Sequence, residues 1–145
     1  MLGFLIAVIS GALMAVQGVF NTGVTKASSI WSASSFVQFS ALIVCLLAWG
    51  FTDRSSLFSV FHVDSKYMLV GGAIGAFITY TVIMSVDKLG PAKAAMYIVI
   101  SQLIVAYLIE LLGIFGIEKQ PLSIKKVIGM LIAIVGIVIF KGESA

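Results

Sequence analysis

The residues of this chain that could do chemistry are polar side chains inside long apolar runs. The stretch SGALMAVQGVFNTG, residues 10–23, carries Gln17 and Asn21 one helical turn apart. On an ideal helix, Ser10, Met14, Gln17 and Asn21 fall within about 60° of one another and form a narrow polar stripe. Amides inside a membrane need hydrogen-bonding partners, so they face a bundle interior or a wet cavity. Gln17 and Asn21 therefore either line a cavity and contact a polar substrate, or they join helices by hydrogen bonds.

The later apolar runs carry similar candidates. Gln38 lies on a small and polar face of the second run, and Tyr80 lies between two threonines in the third. Packing against the first helix is the alternative for Gln38, and an ordinary core position with one hydrogen bond is the alternative for Tyr80. The fourth run adds Ser101 and Gln102. The predicted substrate-binding set is Gln17, Asn21, Gln38, Tyr80, Ser101 and Gln102.

Glu110 is the one carboxylate inside a proposed span. An acid at that depth is costly as an anion and is a candidate for proton coupling or substrate contact. The alternative is a structural acid near the membrane boundary, bonded to a Ser, Tyr or Lys of a neighbouring segment. On a straight helix, Glu110 lies about 180° from Ser101 and about 80° from Gln102, so one face cannot present all three.

The composition indicates that lipid is the solvent of this chain. Its 145 residues are 61% hydrophobic and 10% charged, with a mean hydropathy of +1.17. Soluble domains are about 45–50% apolar and about 25% charged. The net charge of +3 comes from lysines in short connections, which is typical of membrane loops, so we expect no nucleic-acid partner. The single cysteine, Cys45, excludes an internal disulfide and a Cys-based zinc site.

Five apolar runs are long enough, or nearly so, to cross a bilayer, which takes about 20 residues. Only helices or closed barrels satisfy their backbone groups in lipid, and the runs show no strand alternation. The sequence therefore predicts an all-α integral membrane protein with a single five-helix domain over residues 1–145. The predicted helices cover about residues 2–24, 32–51, 67–86, 94–117 and 126–140.

Small residues recur at helix-packing spacings. Gly71 and Gly75 form a GxxxG pattern in the third helix, and Gly129 and Gly136 lie on one face of the fifth. In lipid, such stripes let helix backbones approach closely. They indicate either packing within the chain or an interface between subunits.

Lysine and arginine give the chain almost no preferred orientation. One side of the membrane would collect five of them and the other side four; the first group is Arg54, Lys66, Lys119, Lys125 and Lys126, and the second is Lys26, Lys88, Lys93 and Lys141. Orientation follows this bias, and a difference of one carries little information. The sequence thus favours insertion in both orientations and antiparallel pairing of two copies, with one fixed orientation as the alternative.

Two long segments resemble the drug/metabolite transporter superfamily. GPAKAAMYIVISQLIVAYLIELLG, followed by EKQPLSIKKVIGMLIAIVGIVIF, resembles its last two helices. The stretches ISGALMAVQGVFNTGV, SFVQFSALIV and LVGGAIGAFITYTVIMSVDKLG look like its five-helix branch of bacterial inner-membrane proteins. The resemblance covers nearly the whole chain. It implies a fold in which two five-helix units pack in opposite orientations, like a ten-helix inverted-repeat transporter. The resemblance also implies that members of the family carry similar amides at the positions of Gln17 and Asn21.

The chain departs from the superfamily's four-helix multidrug exporters at one position. Those proteins carry a glutamate in the middle of helix one, where this chain has Gln17 and no acid. The leading hypothesis is therefore a secondary-active exporter of a small polar neutral or zwitterionic metabolite, working by alternating access. The alternatives are a proton-coupled multidrug or cation exporter and a non-transporting structural membrane subunit. Besides lipid and substrate, the expected partner is a second copy or a similar five-helix chain.

The sequence carries no catalytic constellation. It has no nucleophile with a positioned base, no cluster of metal ligands and no phosphate-binding glycine loop. We therefore expect no enzymatic activity and no cofactor.

Overall fold

The computed structural model describes residues 1–142, and the side-chain environments of residues 1–140, as a helical protein. Its five α-helices are α1 (Leu2–Lys26), α2 (Ile30–Thr52), α3 (Gly71–Leu89), α4 (Pro91–Leu112) and α5 (Ile124–Gly142). Two short 3-10 helices, Leu57–His62 and Lys66–Val70, connect α2 to α3. No strand occurs within residues 1–142. The all-α prediction is confirmed.

Within residues 1–142, four helical segments are long and apolar enough to cross a membrane: Leu2–Lys26, Ile30–Thr52, Lys66–Leu89 and Pro91–Leu112. At most 11% of the most apolar part of each segment is buried within the chain, so lipid or other protein must cover the rest. The fifth helix has 19 residues and carries lysines at positions 125, 126 and 141. Its membrane crossing stays a prediction.

The chain folds as two compact units. The first, Met1–Lys88, contains α1, α2 and nearly all of α3, and the second begins at Leu89 and contains α4 and α5. In the first unit, α1 and α3 approach closely at Gly18, where an added Cβ would lie 3.4 Å from Val86 Cγ2 and 3.5 Å from Val82 Cγ1. Gly18 and Thr22 are both buried one turn apart, and the Thr22 hydroxyl donates to the Gly18 carbonyl at 2.8 Å.

The turn between α1 and α2 is short because its residues satisfy the free backbone groups. Ser29 caps the start of α2, and its hydroxyl accepts a hydrogen bond from the Ser32 backbone N–H at 3.1 Å. Serine is a preferred residue at this position, since its side chain replaces the missing carbonyl of a preceding turn. The predicted break between residues 24 and 32 lies here, although α1 continues to Lys26 and α2 begins at Ile30.

The fourth helix is shorter than predicted at its C-terminal end. The prediction placed it at residues 94–117, whereas α4 begins at Pro91 and ends at Leu112. Gly113 has φ of 66° and donates its N–H to the Ile109 carbonyl at 2.9 Å, which is a left-handed helix cap. Phe115 and Gly116 also have positive φ, so the apolar run continues as a turn rather than as helix.

The segment after α4 folds back onto the end of that helix. The Gln120 backbone N–H donates to the Glu110 carbonyl at 2.8 Å. The Ser123 backbone N–H donates to the hydroxyl of Tyr107 at 2.8 Å, and Tyr107 is 8% exposed. These two hydrogen bonds fix the connection against α4 and set where α5 begins.

The glycines predicted to pack helices have open surroundings. An added Cβ at Gly71, Gly129 or Gly136 would meet nothing within 4 Å among the described residues, and at Gly75 it would meet only the Gln38 Nε2 atom at 4.0 Å. Within the described residues, a glycine at which two helices do meet is Gly18, between α1 and α3. A role for the predicted glycines against another chain stays a prediction.

Gly113 and Gly116 form a matched pair for testing the turn after α4. Gly116 has φ of 79° with nothing within 4 Å of an added Cβ, whereas at Gly113 that Cβ would lie 2.8 Å from Lys119 Cβ and 3.2 Å from Lys119 Cα. Gly116→Ala should cost about 1 kcal/mol for the left-handed conformation alone. Gly113→Ala should cost about 2–4 kcal/mol, because the backbone at Lys119 must also move. Thermal unfolding in one detergent, followed by circular dichroism, measures both; equal losses would contradict the close approach.

Candidate functional site

An open groove runs between α1 and α2 in the first unit. Its volume is about 550 Å³, within the range of about 300–1,000 Å³ for small-molecule sites. Its wall contains the two amides predicted to share one face of the first helix, and the lining residues carry no charge. They are Gln17, Phe20, Asn21, Val24, Phe36, Val37, Ser40, Ala41, Val44 and Cys45.

Neither side-chain amide of this wall has a hydrogen-bonding partner among residues 1–140. The Asn21 residue is 9% exposed, and Gln17 is exposed on the groove surface. The backbone carbonyl of Asn21 accepts a bond from the Thr25 hydroxyl at 2.9 Å, which leaves the amide unused. An unpaired polar group in hydrocarbon costs several kcal/mol. Water, a substrate or another chain must therefore supply the partners.

Gln38 connects α2 to α3 inside the first unit. Its Nε2 donates to the Thr79 hydroxyl at 3.2 Å, and Thr79 donates in turn to the Gly75 carbonyl at 3.0 Å. Gln38 therefore packs against another helix, but this helix is α3 and not the first helix, as the alternative had it, and the contact occupies one of the two N–H donors of the amide. A substrate role for Gln38 stays a prediction.

Tyr80 lies beside this bond and stacks on Trp31. The two ring centroids are 4.9 Å apart and the planes meet at 26°. Tyr80 is half-buried and Trp31 is exposed, so one ring anchors the other against α3. Trp31 is not among the predicted site residues, although SSIWSASS shows an aromatic residue at the start of a spanning helix. A substrate contact by Tyr80 stays a prediction.

Ser34, which the sequence places on the same small and polar face as Gln38, is buried in α2. It is 4% exposed, and its hydroxyl has no hydrogen-bonding partner among the described residues. Thr22 is similarly buried but returns its hydroxyl to the preceding turn of α1. The small-residue pattern of SASS gave a signal for close packing and none for an unpaired hydroxyl.

In the second unit, Ser101 and Gln102 line a shallow groove on α4. It measures about 470 Å³ and also includes Val105, Ala106 and Ile109. Both polar residues are exposed; Ser101 donates to the Ile98 carbonyl at 2.9 Å, and no described residue bonds the Gln102 amide. Glu110 does not line this groove, as the angles on an ideal helix predicted.

Glu110 pairs instead with Lys126 of α5. The Lys126 Nζ to Glu110 Oε2 distance is 2.6 Å, and the Lys126 and Glu110 side chains are 51% and 41% exposed. Lys126 Nζ also lies 5.5 Å from the centre of the Tyr107 ring. The bonded structural acid was one of the two alternatives for Glu110, and proton coupling stays a prediction.

Comparison with known families agrees with these features. The family described as "Putative inner membrane exporter, YdcZ" matches residues 2–139, nearly the whole chain. The chain belongs to this family. Neither a curated protein nor a solved structure matches it.

Family membership confirms the resemblance to drug/metabolite transporters and the predicted location. The protein is a multi-pass protein of the inner membrane. The description of its family indicates a transporter, in agreement with the general class predicted from the sequence. The family description specifies neither the substrate, nor the ion gradient that drives transport, nor the oligomeric state.

Cys45 makes the water content of the α1–α2 groove measurable, because this sole cysteine lines the groove. Thiols react as thiolates, which form in water and not in hydrocarbon. We expect a charged, membrane-impermeant methanethiosulfonate reagent to modify Cys45 in membrane vesicles, as measured by intact-protein mass spectrometry.

The matched control is Leu47→Cys in a Cys45→Ser background. Leu47 is 57% exposed, lies two residues further along α2 and faces about 200° away from Cys45. The groove cysteine should react at least about tenfold faster than this lipid-facing one, as expected from the thiolate requirement. Equal rates at the two positions would mean that the groove is dry.

Proposed function

We propose that this protein is a secondary-active exporter of a small polar metabolite that is neutral or zwitterionic, working by alternating access. The observation that supports this proposal most strongly is the α1–α2 groove, which holds two unpartnered amides and no charged side chain. Membership of an inner-membrane exporter family supports transport as the use of that groove.

The lining of the groove favours a ligand that both donates and accepts hydrogen bonds. An amide has two donors and an acceptor, and the hydroxyl of Ser40 adds a further acceptor while donating to the Val37 carbonyl at 3.0 Å. Such groups bind hydroxyl, amide or paired ionic groups without a net charge. A permanent cation would need a carboxylate beside it, and the groove has none.

The proposal includes an antiparallel pair of five-helix chains, either two copies or this chain and a similar one. Many secondary transporters consist of inverted repeats around a site near the bilayer midplane, and one chain supplies only one half. The nearly even distribution of lysine and arginine permits both orientations. In such a pair, Gln38, Tyr80, Ser101 and Gln102 would add to the lining that Gln17 and Asn21 begin.

Glu110 is the proposed proton carrier of this exporter. It lies within a spanning helix, and its half-exposed side chain can be reached without unfolding. Protonation of the carboxylate must weaken its 2.6 Å pair with Lys126, so proton binding would change a contact between α4 and α5. That contact gives the proton a mechanical effect on the helices.

Transport by liposomes that contain the purified protein tests the main proposal. The vesicles are loaded with a mixture of neutral and zwitterionic amino acids and sugars, or with the hydrophilic quaternary cation tetramethylammonium, and efflux is followed by mass spectrometry. We expect efflux of a neutral or zwitterionic solute and retention of the cation. Gln17→Leu and Asn21→Leu should each lower this efflux about 5- to 150-fold, since leaving a polar group of the bound substrate without its hydrogen-bonding partner costs about 1–3 kcal/mol.

Phe39→Leu is the control for these substitutions, because Phe39 is exposed on α2 outside the groove. Its efflux should equal that of the wild type. Efflux of the cation alone would point to a multidrug exporter. Absence of all efflux, with lowered thermal stability in the amide variants, would point to a structural subunit.

Coupling through Glu110 needs a separate experiment. Glu110→Gln should abolish the acceleration of efflux by an imposed pH gradient and leave solute exchange at equal pH unchanged, because only net transport needs the proton. Glu118→Gln, an exposed acid in the connection between α4 and α5, serves as the control and should keep the acceleration. A pH-driven efflux that survives in Glu110→Gln would remove Glu110 from the coupling mechanism.

A further inference from the structure

A second groove, between α4 and α5, shares no lining residue with the α1–α2 groove. Its volume is about 370 Å³, and its lining is apolar except at one end. It is lined by Leu103, Ala106, Tyr107, Glu110, Lys126, Gly129 and Met130. All of these residues belong to the second unit.

The polar end of this groove is the Glu110–Lys126 ion pair. The pair lies at the end of α4 and the start of α5, three residues from Gly113, where the helix stops. Both side chains are about half-exposed, so a ligand reaches the carboxylate and the ammonium without breaking the fold. Neither charge is enclosed by the protein, and each retains free hydrogen-bonding capacity.

The apolar part of the groove extends from this pair toward the middle of the membrane. Leu103 precedes Glu110 by seven residues, about 10 Å along α4, and Met130 follows Lys126 by four residues, about 6 Å along α5. Charges are therefore at the boundary of the spanning helix, and hydrocarbon-lined surface follows below them. The open side at Gly129, where an added Cβ meets nothing within 4 Å, deepens that surface.

We infer that this groove binds a phospholipid with a zwitterionic headgroup that carries a primary ammonium, such as phosphatidylethanolamine. The phosphate contacts the Lys126 ammonium, the headgroup ammonium contacts the Glu110 carboxylate, and the first part of an acyl chain lies along Leu103, Ala106 and Met130. Charge and depth then match in the order in which a lipid presents them: charged head at the boundary, hydrocarbon below.

The charges select this headgroup against the other common classes. A purely anionic head would contact the Lys126 ammonium. Its negative charge would then lie beside the Glu110 carboxylate, because Glu110 Oε2 is only 2.6 Å from Lys126 Nζ, and the two negative charges would repel each other. A trimethylammonium head carries the same charges but has no N–H to donate to the carboxylate, whereas a primary ammonium has three donors. The pair is therefore complementary to a head with one phosphate and one hydrogen-bonding ammonium.

The surrounding contacts hold the pair at the entrance of the groove. Tyr107 is buried beneath it and its ring lies 5.5 Å from Lys126 Nζ, which favours the ammonium on that side. The bond from the Ser123 N–H to the Tyr107 hydroxyl fixes the start of α5, and that from the Gln120 N–H fixes the last turn of α4. A preorganised site loses less entropy when it binds its ligand.

The inference does not depend on transport. It concerns the resting protein in its membrane, and it needs only the charges of Glu110 and Lys126. Lys126→Gln separates it from the coupling proposal, since that substitution removes the phosphate contact and leaves the carboxylate in place.

Native mass spectrometry of the purified protein tests the inference. The protein is released from vesicles of equal parts phosphatidylethanolamine, phosphatidylcholine and phosphatidylglycerol with identical acyl chains, and the retained lipids are counted. The wild type should retain phosphatidylethanolamine about tenfold more than either other lipid, as one or two charge-assisted hydrogen bonds allow. Glu110→Gln and Lys126→Gln should each abolish this preference.

The matched controls are Glu118→Gln and Lys119→Gln, which remove one acid and one base from the adjacent connection but do not line the groove. Both should keep the preference. Circular dichroism of every variant separates lost binding from lost folding, and Leu103→Trp, which fills the groove below the pair and leaves the charges intact, should lower retention of all three lipids.

Three results would overturn the inference. Stronger retention of phosphatidylglycerol would identify a site for anionic lipid. Equal retention of phosphatidylethanolamine and phosphatidylcholine would show that the ammonium is not recognised. Lipid retention unchanged by Glu110→Gln and Lys126→Gln, with a change in the dimer fraction instead, would show that the groove contacts a second copy of the chain.

Discussion

One constraint organises this protein: a polar group in a medium of hydrocarbon must find a partner, because water is not there to provide one. The described part of the chain meets the constraint in two ways and leaves one pair of side chains without a partner. Thr22, Thr81 and Ser85 return their hydroxyls to carbonyls one turn earlier in their own helices. Gln38 finds Thr79 on a neighbouring helix. Gln17 and Asn21 have no partner among the described residues, and they share one groove.

The same constraint applies more strongly to charge, and it explains how the end of α4 is built. Glu110 would be costly alone in lipid, and the turn begun by Gly113 brings the chain back so that Lys126 lies 2.6 Å from it. The left-handed conformation of Gly113, the Tyr107–Ser123 bond and the ion pair are therefore parts of one arrangement. A residue with a side chain at Gly113 would displace Lys119 and with it the path of the whole connection.

The sequence was sufficient for the parts of the fold that depend on local composition. Long apolar runs predicted five helices, and the prediction is correct because lipid leaves the backbone no alternative. The end of α4 was misplaced, since the apolar letters of GIF continue past Gly113 and only a positive φ distinguishes cap from helix. Hydropathy is insensitive to that difference. The glycines of LLGIFGIE do indicate the end of the helix, because a glycine just after the last helical residue is typical of a helix C-terminus.

Contacts between distant segments could not be predicted in the same way. The bond between Gln38 and Thr79 spans 41 positions, and nothing in either local pattern specifies the other. The glycine spacings predicted helix contacts at Gly71, Gly75, Gly129 and Gly136. Within the described residues, however, α1 contacts α3 at Gly18, and the buried residue one turn after Gly18 is Thr22. A small-xxx-small pattern records that a helix can be approached and not which helix approaches it.

A groove lined by unpartnered amides also bears on whether a single chain can enclose a transport pathway. Water or a polar solute in the α1–α2 groove must be separated from acyl chains, because an open boundary between them along the membrane would expose the amides to hydrocarbon. The groove is open to its surroundings, and at most 11% of the most apolar part of each spanning segment is buried within the chain. A second protein surface over the groove, as proposed, would both keep the groove wet and bury apolar area. This requirement, together with lysines and arginines that barely distinguish the two sides, is the physical basis for proposing that two such chains enclose the transport pathway between them.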